Sequence, residues 1–292
     1  MIFGKVITAM VTPFDEELNI DYKALENLIE HLLATGTDTL LVAGTTGESP
    51  TLTDEEKLDL FKACKEIAGK RAKIMAGTGS NSTLHSIELS QKAEKVGADS
   101  LLLVSPYYNK PTQEGLYRHF KAIAEAVDIP VVPYNVPGRT AVTIEPETFA
   151  RLSEIKNVVA VKDAVGNLDK TSKTRLLAPN LEIYSGDDSL TLPMLALGAQ
   201  GVISVASHVV GSEIKQMITS FEEGNTKKAE EIHLKLFNIF KALFVITNPI
   251  PVKAALNLIG IRVGGLRLPL CEADDNTIAA LKKALSELGK LG

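Results

Sequence analysis

The feature that most constrains the fold of this chain is a repeated alternation of short apolar runs with longer amphipathic stretches. Apolar residues in the longer stretches recur with the period of an α-helix, whereas the short runs have the length and composition of buried parallel strands. Eight such runs are present: Val6–Ala9, Thr39–Ala43, Lys73–Ala76, Leu101–Val104, Val131–Tyr134, Val158–Val161, Leu181–Tyr184 and Gly201–Ser204. Eight strand–helix units in a single chain predict a (β/α)8 TIM barrel.

A doubly wound open sheet is the competing architecture for alternating strands and helices. It is the weaker alternative, because no Gly-x-Gly-x-x-Gly turn follows any predicted strand. Local signals mark several helix ends: a capping box of Thr53 and Glu56, a C-terminal Gly97, and Pro146 in a first turn. The predicted helices between strands include Asp21–Thr35, Ser82–Val96, Thr112–Ala126 and Pro146–Ser153.

The pattern changes to helices alone beyond Gly224. The predicted helices there are roughly Lys227–Ile246, Pro251–Leu258 and Asp274–Leu288. Because Ala242–Ile259 is strongly apolar, we expect this region to pack on the barrel or on another subunit. The sequence therefore predicts a catalytic barrel over residues 1–224 and a C-terminal helical region over residues 225–292 packed on it.

Charge and composition exclude several classes of function. The net charge of −5 comes without any lysine or arginine cluster, so no nucleic-acid-binding face is predicted. No apolar run approaches membrane-spanning length, and the start at Met1–Lys5 lacks the regions of a signal peptide. Cys64 and Cys271 form no Cys-x-x-Cys motif, which is typical of a reduced protein. We therefore expect a cytoplasmic protein.

One predicted strand leads into a lysine. In Asn157–Asp163, four apolar residues precede Lys162, whose stem would lie in the core with the amine at the core's rim. Burial disfavours the charged amine, so its pKa falls and it can attack a carbonyl as a nucleophile. Taken alone, a lysine after a strand is more often a solvated loop residue. The residues at the same end of the barrel decide between these interpretations.

Polar residues gather at the carboxyl ends of the predicted strands, where (β/α)8 barrels place their chemistry. The segments are Gly44–Ser49, Ser105–Asn109, Tyr134–Thr140 and Ser185–Asp188. The first segment has two threonine hydroxyls, and its glycines leave backbone N–H groups accessible, so it can bind a carboxylate. The alternative is that Gly44–Ser49 is only a tight turn with no ligand. Tyr134 is either a core residue or a phenol that shuttles protons. Arg139 is either a surface charge or a bidentate carboxylate ligand.

The sequence does not favour a metal-dependent aldolase. Its histidines are scattered and none falls in a His-x-His or His-Glu-x-x-His pattern. Asp187 and Asp188 are candidate metal ligands, but helix capping is the more ordinary role of such residues. The residues therefore give no reason to predict a metal site.

Several motifs taken together resemble the dihydrodipicolinate synthase family, one of the pyruvate-dependent class I aldolase-type barrels. They are Gly44–Ser49, Pro106–Pro111, Tyr134–Thr140, Asn248–Lys253 and Leu266–Pro269, and they cover essentially the whole chain in order. N-acetylneuraminate lyase and keto-deoxy-sugar aldolases are relatives of that family. A lyase acting on a keto-deoxy sugar acid is therefore the alternative, although Arg139 and the Asn248–Pro251 tetrad favour the synthases.

The resemblance implies that pyruvate condenses with L-aspartate 4-semialdehyde to 4-hydroxy-tetrahydrodipicolinate, on the diaminopimelate route to lysine. It implies that Lys162 forms a Schiff base with pyruvate, so that no metal or cofactor is needed. It also implies that Tyr134 is the general acid/base and that Thr45 and Tyr108 complete its proton relay. Tyr108 would reach in from a neighbouring subunit of a homotetramer built from two tight dimers.

The resemblance also implies a set of substrate-binding residues. Thr46 and the carbonyl of Ile203 would hold the pyruvate unit, and Arg139 would anchor the carboxylate of the semialdehyde. Gly186 is the fourth predicted substrate-binding residue. The alternative that is not an enzyme is a barrel that binds a ligand and acts as a regulatory protein. The joint presence of Lys162 with these residues argues against it.

Two departures from the family pattern carry expectations. Asp163 follows the lysine where the family usually has glutamate, and strand alternation predicts that its side chain points away from Lys162. In lysine-inhibited members, the effector pairs with a glutamate where this chain has His85. Such members also commonly have histidines where this chain has Asp54 and Lys57, and Lys57 adds a positive charge near a cationic effector. We therefore expect weak or absent inhibition by lysine.

Overall fold

The fold is a closed barrel of eight parallel strands, β1 to β8, in which β8 pairs with β1. The structure, a computed structural model, describes residues 2–291. The strands are β1 (Val6–Ala9), β2 (Thr39–Val42), β3 (Lys73–Gly77), β4 (Ser100–Val104), β5 (Val131–Asn135), β6 (Ala160–Asp163), β7 (Glu182–Ser185) and β8 (Gly201–Ser204). The predicted (β/α)8 architecture is confirmed.

Helices surround the barrel and extend beyond it at the C-terminal end of the chain. Within residues 2–291 they are α1 (Tyr22–Ala34), α2 (Asp54–Ala68), α3 (Thr83–Lys95), α4 (Gln113–Ala124), α5 (Pro137–Thr140), α6 (Pro146–Leu152), α7 (Leu168–Leu177), α8 (Thr191–Ala196), α9 (Ser207–Glu222), α10 (Thr226–Ala242), α11 (Ile250–Leu258) and α12 (Asp275–Glu287). None of these helices is both long and apolar enough to cross a membrane.

The predicted helix-end signals are confirmed. The N–H of Thr53 donates to the Glu56 carboxylate at 2.8 Å, and the N–H of Glu56 donates to the Thr53 hydroxyl at 3.2 Å. These two bonds are the reciprocal pair of a capping box at the start of α2. Gly97, with a φ of +96°, follows α3 in the left-handed conformation that glycine adopts without strain. Pro146 lies in the first turn of α6.

Strand β6 differs from its predicted position in a way that matters for the site. It covers Ala160–Asp163 rather than Val158–Val161, and Val158 makes only an isolated bridge to Val131. Both faces of a parallel barrel strand are buried, so an apolar run does not show where regular pairing begins. Lys162 therefore lies within the strand and not after it.

The C-terminal helices pack on one another and on α9. Helix α10 contacts α9 and α12, and α11 contacts the same two helices. Helix α10 ends at Ala242 and not at Ile246, because the chain turns there before α11 begins at Ile250. The division into a barrel over residues 1–224 and a helical region over residues 225–292 stays a prediction.

The barrel interior holds its own apolar cluster, separate from the larger core between strands and helices. Its buried members are Phe3, Ile7, Ala9, Leu41, Met75, Leu102, Val132, Tyr134, Val136, Ala160, Tyr184 and Ile203. Side chains alternate along a strand, so Ala160 and Lys162 face the same side of β6. The register places Lys162 between Tyr134 on β5 and Tyr184 on β7. A lysine thus projects into an otherwise apolar interior.

Candidate active site

Lys162 is a buried amine with no ion-pair partner within residues 2–291. The residue is 5 % exposed, and its Nζ lies 4.3 Å from the centroid of the Tyr134 ring. Burial lowers the pKa of this amine to about 7; Asp188 opposes the shift and Arg139 adds to it. A large share of such an amine is unprotonated at neutral pH, and this is the form that attacks a carbonyl.

The other buried lysines of residues 2–291 differ from Lys162 because each has an acidic partner. Lys253 Nζ lies 2.9 Å from a carboxylate oxygen of Glu48, and Lys57 Nζ lies 3.7 Å from one of Asp54. Burial lowers the pKa of both amines, but in each case the carboxylate opposes this shift and favours the protonated form, which is not nucleophilic. The geometry therefore separates one nucleophile candidate from two paired ammonium groups.

Tyr134 lies beside Lys162 and lines a cavity of about 570 Å³. Burial raises the pKa of its phenol to about 12, and Arg139 partly opposes this rise. The phenol is therefore protonated at neutral pH and can donate its proton to an oxygen that gains charge. Thr45, Arg139 and Tyr107 line the same cavity.

The segment Gly44–Glu48 after β2 forms a tight turn that presents polar groups. The N–H of Gly47 donates to the Gly44 carbonyl at 3.1 Å, whereas the N–H of Thr46 has no acceptor within residues 2–291. Thr46 Oγ1 accepts a hydrogen bond from Asn248 Nδ2 at 3.0 Å, so the hydroxyl hydrogen remains available to a ligand. Uncharged donors of this kind can hold a carboxylate without adding a positive charge near the amine.

Arg139 lies on the one-turn helix α5 at the cavity. Its Nη2 donates to the main-chain carbonyl of Asn248 at 3.2 Å, and its other donors have no acceptor within residues 2–291. The loop that carries it is anchored by Asn135, whose amide exchanges hydrogen bonds of 3.0 and 2.9 Å with the backbone of Ile144. A held guanidinium with unused donors suits a carboxylate ligand.

Gly186 and Ile203 come from the next two strand–helix units after the lysine: Gly186 directly follows β7, and Ile203 lies on β8. A Cβ added at Gly186 would lie 3.1 Å from Lys162 Cε and 2.8 Å from Ala164 Cβ, so the absence of a side chain makes room for the lysine. Ile203 belongs to β8 and packs in the same interior cluster as Tyr134.

Tyr108 is not brought to Lys162 within this chain. It lies on the loop after β4 and is 90 % exposed, whereas Lys162 is 5 % exposed in the barrel interior. Of the predicted set, Thr45, Tyr134 and Arg139 line the cavity, and Lys162 lies beside Tyr134 and Gly186. The single chain leaves the phenol of Tyr108 at the surface.

Asp163 points away from Lys162, which confirms the prediction from strand alternation. Its carboxylate accepts hydrogen bonds from the N–H of Val165 at 3.1 Å and from the hydroxyl of Thr171 at 2.9 Å. The residue therefore closes the turn after β6 on the outer side of the barrel.

Asp187 and Asp188 both form hydrogen bonds to protein groups. Asp187 accepts from the N–H of Ser189 at 2.9 Å, which confirms the predicted capping role. The buried Asp188 accepts from the N–H groups of Val205 and Ala206 at 3.1 and 3.0 Å. Nowhere in residues 2–291 do three or more His, Cys, Asp or Glu side chains form a group arranged to hold a metal ion.

Sequence reasoning missed a role for Asn248. Asn248–Lys253 contributed to the resemblance, but none of its residues received a function. The structure places Asn248 between Thr46 and Arg139, and its Oδ1 is a buried acceptor without a partner in residues 2–291. The available signal was a polar residue and a lysine inside the apolar tract Ala242–Ile259, because buried polar groups require partners.

Comparison with known proteins agrees with this geometry. The sequence profile of the Dihydrodipicolinate synthetase family matches residues 2–288. A 4-hydroxy-tetrahydrodipicolinate synthase of Heliobacterium modesticaldum is 53 % identical over 290 residues, which cover 99 % of this chain and 97 % of that protein. The synthase of Acaryochloris marina is 56 % identical, with 99 % of both chains covered.

A solved structure agrees as well. The dihydrodipicolinate synthase of Cyanidioschyzon merolae, crystallised with lysine bound, is 48 % identical and superposes with a TM-score of 0.97 over 99 % of each chain. Fold, length and sequence thus match the same group of enzymes, the 4-hydroxy-tetrahydrodipicolinate synthases. The chain belongs to the dihydrodipicolinate synthetase family and is, as its motifs predict, a class I aldolase-type lyase.

Proposed function

We propose that Lys162 condenses with pyruvate to form an enamine, and that this enamine attacks L-aspartate 4-semialdehyde to give 4-hydroxy-tetrahydrodipicolinate. The observation that carries this proposal is a buried amine without an ion pair in residues 2–291, whose pKa is lowered to about 7. The amine adds to the ketone of pyruvate and loses water to form an imine. The imine withdraws electrons, so the methyl group loses a proton and an enamine forms.

Thr46 supplies the pyruvate carboxylate with a main-chain N–H and a hydroxyl. Both donors lie on the turn after β2, the hydroxyl oxygen is held by Asn248, and the N–H has no acceptor in residues 2–291. The carbonyl of Ile203 at the end of β8 completes the pyruvate site in this proposal. Positioning the ketone next to the lysine converts imine formation into an intramolecular step.

Tyr134 acts as the general acid/base in the proposed reaction. Its phenol lines the cavity and its ring lies against the lysine amine, so it can move protons at the imine and at the aldehyde oxygen. Thr45 lines the same cavity and would pass protons onward. Tyr108 of a neighbouring subunit would complete the relay, which is consistent with its 90 % exposure in one chain.

Arg139 anchors the carboxylate of the semialdehyde at the cavity. Its guanidinium retains donors that no acceptor within residues 2–291 takes up. After the carbon–carbon bond forms, the amine of the semialdehyde attacks the imine carbon and displaces Lys162. The cyclic product leaves and the enzyme's amine is regenerated.

The direct test is borohydride reduction in the presence of pyruvate, followed by peptide mapping. We expect a pyruvate-derived mass on the peptide that contains Lys162, together with loss of activity, and no adduct in Lys162→Ala or Lys162→Arg. Lys253 is the matched internal control, because it is also buried but is paired with Glu48. An adduct on Lys253 or Lys110 would contradict the proposal.

The assembly and compartment are part of the proposal. We infer a cytoplasmic homotetramer built from two tight dimers. Exposed large apolar side chains support it, both beside the site, at Leu84 and Tyr108, and on α10, at Leu234 and Phe237. Both cysteines are free, and one of them, Cys271, is exposed, which suits a reducing compartment.

We also propose that lysine inhibits this enzyme weakly or not at all. Asp54, the carboxylate near the position of the missing glutamate, is already engaged: His85 Nε2 lies 2.8 Å and Lys57 Nζ 3.7 Å from its oxygens. Loss of a charge-assisted hydrogen bond costs about 1.5–3 kcal/mol, or roughly ten- to a hundredfold in affinity. The test is a titration with L-lysine at saturating pyruvate, and half-inhibition below the millimolar range would contradict the proposal.

A further inference from the structure

We propose that Lys253 and Glu48 are positioning residues that hold the Thr45–Thr46 turn in the geometry that binds pyruvate. The inference rests on the function proposed for that turn and extends it to α11, a helix that lies outside the barrel. It also assigns a role to Lys253, the last residue of the Asn248–Lys253 motif, which the reaction scheme above does not use.

Lys253 and Glu48 form a fully buried ion pair in which both charges have several partners. Their side chains are each 1 % exposed, and Nζ lies 2.9 Å from the carboxylate. Nζ also donates to the carbonyl of Thr12 at 2.9 Å, and the second carboxylate oxygen accepts from the N–H of Arg267 at 3.0 Å. Well-packed apolar residues often stabilise a protein as much as a buried ion pair does, so stability alone is a weak explanation for the pair.

The pair is connected to the turn at its C-terminal end. Glu48 is the last residue of the turn. Its N–H donates to the carbonyl of Thr45 at 3.2 Å, and its φ of +57° lies in the left-handed region. A residue other than glycine keeps this conformation only when its surroundings hold it. Thr12 adds a second connection, because its hydroxyl donates to the carbonyl of Gly47 at 2.7 Å while its own carbonyl holds Lys253.

Helix α11 also reaches the turn at a second point. Asn248, just before the helix, donates to Thr46 Oγ1 at 3.0 Å, and the N–H of Lys253 donates to the Pro249 carbonyl at 3.1 Å in the first turn. One rigid element therefore contacts both Thr46 and Glu48. Loss of the Lys253–Glu48 pair would free the Glu48 end of the turn and move the donors that bind pyruvate, whereas Arg139 is held by Asn248 and not by this pair. Misplacements of about 1 Å can cost roughly a hundredfold in rate.

A purely structural role is the competing explanation. The Lys253 ammonium and the Arg267 guanidinium lie 4.3 and 4.6 Å from the centroid of the Phe14 ring, so the cluster also packs α11 onto the barrel. A structural role predicts a lower melting temperature with an unchanged KM for pyruvate. A positioning role predicts a higher KM for pyruvate even at temperatures where the variant is fully folded.

The experiment compares Lys253→Met with the wild-type enzyme well below the melting temperature of each. We expect the KM for pyruvate to rise about ten- to a hundredfold, while the KM for the semialdehyde changes by less than about twofold. Lys65→Met is the control, since Lys65 pairs with Asp99 at 2.6 Å and has no contact with the turn. We expect this control to lower the melting temperature and to leave both KM values unchanged.

The double variant Glu48→Gln/Lys253→Met separates charge balance from positioning. It removes both buried charges, so a pair that only balances charge predicts recovery of the wild-type KM for pyruvate, and that result would overturn the proposal. We expect the KM to stay raised, because Nζ no longer links the turn to α11. If Lys253→Met does not fold, Glu48→Leu, whose side chain cannot accept from Nζ, must show the same selective rise in the KM for pyruvate, and an unchanged value overturns the proposal.

Borohydride trapping in the wild type distinguishes failure of this inference from failure of the proposed function. Absence of a pyruvate adduct on Lys162 in the wild type would reject the proposed function. An adduct in the wild type, together with variants that bind pyruvate normally, would reject only the positioning role of Lys253 and Glu48.

Discussion

The pKa values of Lys162 and Tyr134 are moved in opposite directions by the same burial. Burial lowers the pKa of the lysine amine to about 7 and raises that of the phenol to about 12. In both cases the low-polarity interior disfavours the charged form. The result near neutral pH is an amine that is substantially unprotonated beside a protonated acid, with Nζ 4.3 Å from the ring centroid.

Imine formation is therefore expected to increase with pH through about 7 and to level off above it. Only the unprotonated amine attacks pyruvate, and its fraction follows the pKa of Lys162. The measurement is the rate of borohydride-trapped adduct at saturating pyruvate across this pH range. A midpoint near 10.5, the ordinary value for lysine, would contradict the prediction.

The same shift predicts how Lys162 affects stability. Between about pH 7 and pH 10.5 the unfolded state binds more protons at this residue than the folded state does, so its contribution to stability rises with pH there. Lys162→Met is therefore expected to raise the free energy of unfolding most at or below pH 7 and less as pH approaches 10.5. Chemical denaturation of both proteins at several pH values measures the difference, and a pH-independent difference would contradict it.

Tyr134→Phe is expected to lower kcat by roughly a hundred- to ten-thousand-fold, because it removes the positioned general acid/base. The fold should be retained, since the ring that packs in the barrel remains. Tyr184→Phe is the matched control: it is the other inward-facing tyrosine beside Lys162, but its hydroxyl donates to Glu182 at 3.1 Å. Steady-state kinetics and melting curves of both variants check the prediction, and equal losses of activity would contradict it.

At the scale of elements, neighbouring strand ends shape the space around the lysine. Strand β6 presents Lys162 inward and Asp163 outward, and β7 passes beside it and ends just before Gly186. The N–H of Gly186 donates to the Asp163 carbonyl at 2.7 Å, which brings the ends of β6 and β7 close together. A glycine is therefore required at position 186, because the end of β6 and the Lys162 side chain leave no room for a Cβ there.

Gly186→Ala is expected to slow imine formation by about tenfold or more, because the new Cβ would displace the Lys162 stem. That Cβ would lie 3.1 Å from Lys162 Cε. Gly138→Ala is the control, since a Cβ there would meet nothing within 4 Å. Borohydride trapping at fixed pyruvate compares the two, and a normal rate in Gly186→Ala would contradict the steric role.

At the scale of the whole molecule, one chain does not contain the complete proposed relay. Tyr108 is 90 % exposed on the loop after β4, while Tyr107 beside it lines the cavity with Thr45 and Tyr134. The exposure of this phenol is explained if Tyr108 enters the active site of a second copy of the chain. The proposed assembly would then be part of catalysis and not only of stability.

Mixing two inactive variants tests this arrangement. If Tyr108 acts in a neighbouring subunit, dimers of Lys162→Ala with Tyr108→Phe contain one intact site, and random mixing restores up to about a quarter of wild-type activity. The variants are unfolded together, refolded and assayed, with each variant refolded alone as the control. No recovery in mixtures that contain mixed dimers would contradict the shared site.

Much of the molecule was predictable from the sequence, because the relevant signals are local. The period of the apolar residues predicts the strands and helices, and capping residues such as Thr53 and Gly97 predict helix ends within a few positions. The closed barrel follows from the number of strand–helix units. This architecture then places the loops that carry Thr45, Tyr134 and Lys162 at the same end of the barrel.

The surroundings of those residues depend on contacts between distant parts of the chain. Lys253 and Glu48 are 205 positions apart in the sequence, and Asn248 and Thr46 are 202 apart, so no local pattern pairs them. The start of β6 also depended on its neighbours, since both faces of a barrel strand are buried. The sequence determined by itself which elements form and which reactive groups they carry, because these depend on short-range periodicity and chemistry. The closed barrel and the packing of α11 decided which groups are paired and which amine stays free, because burial and distance exist only in the folded chain.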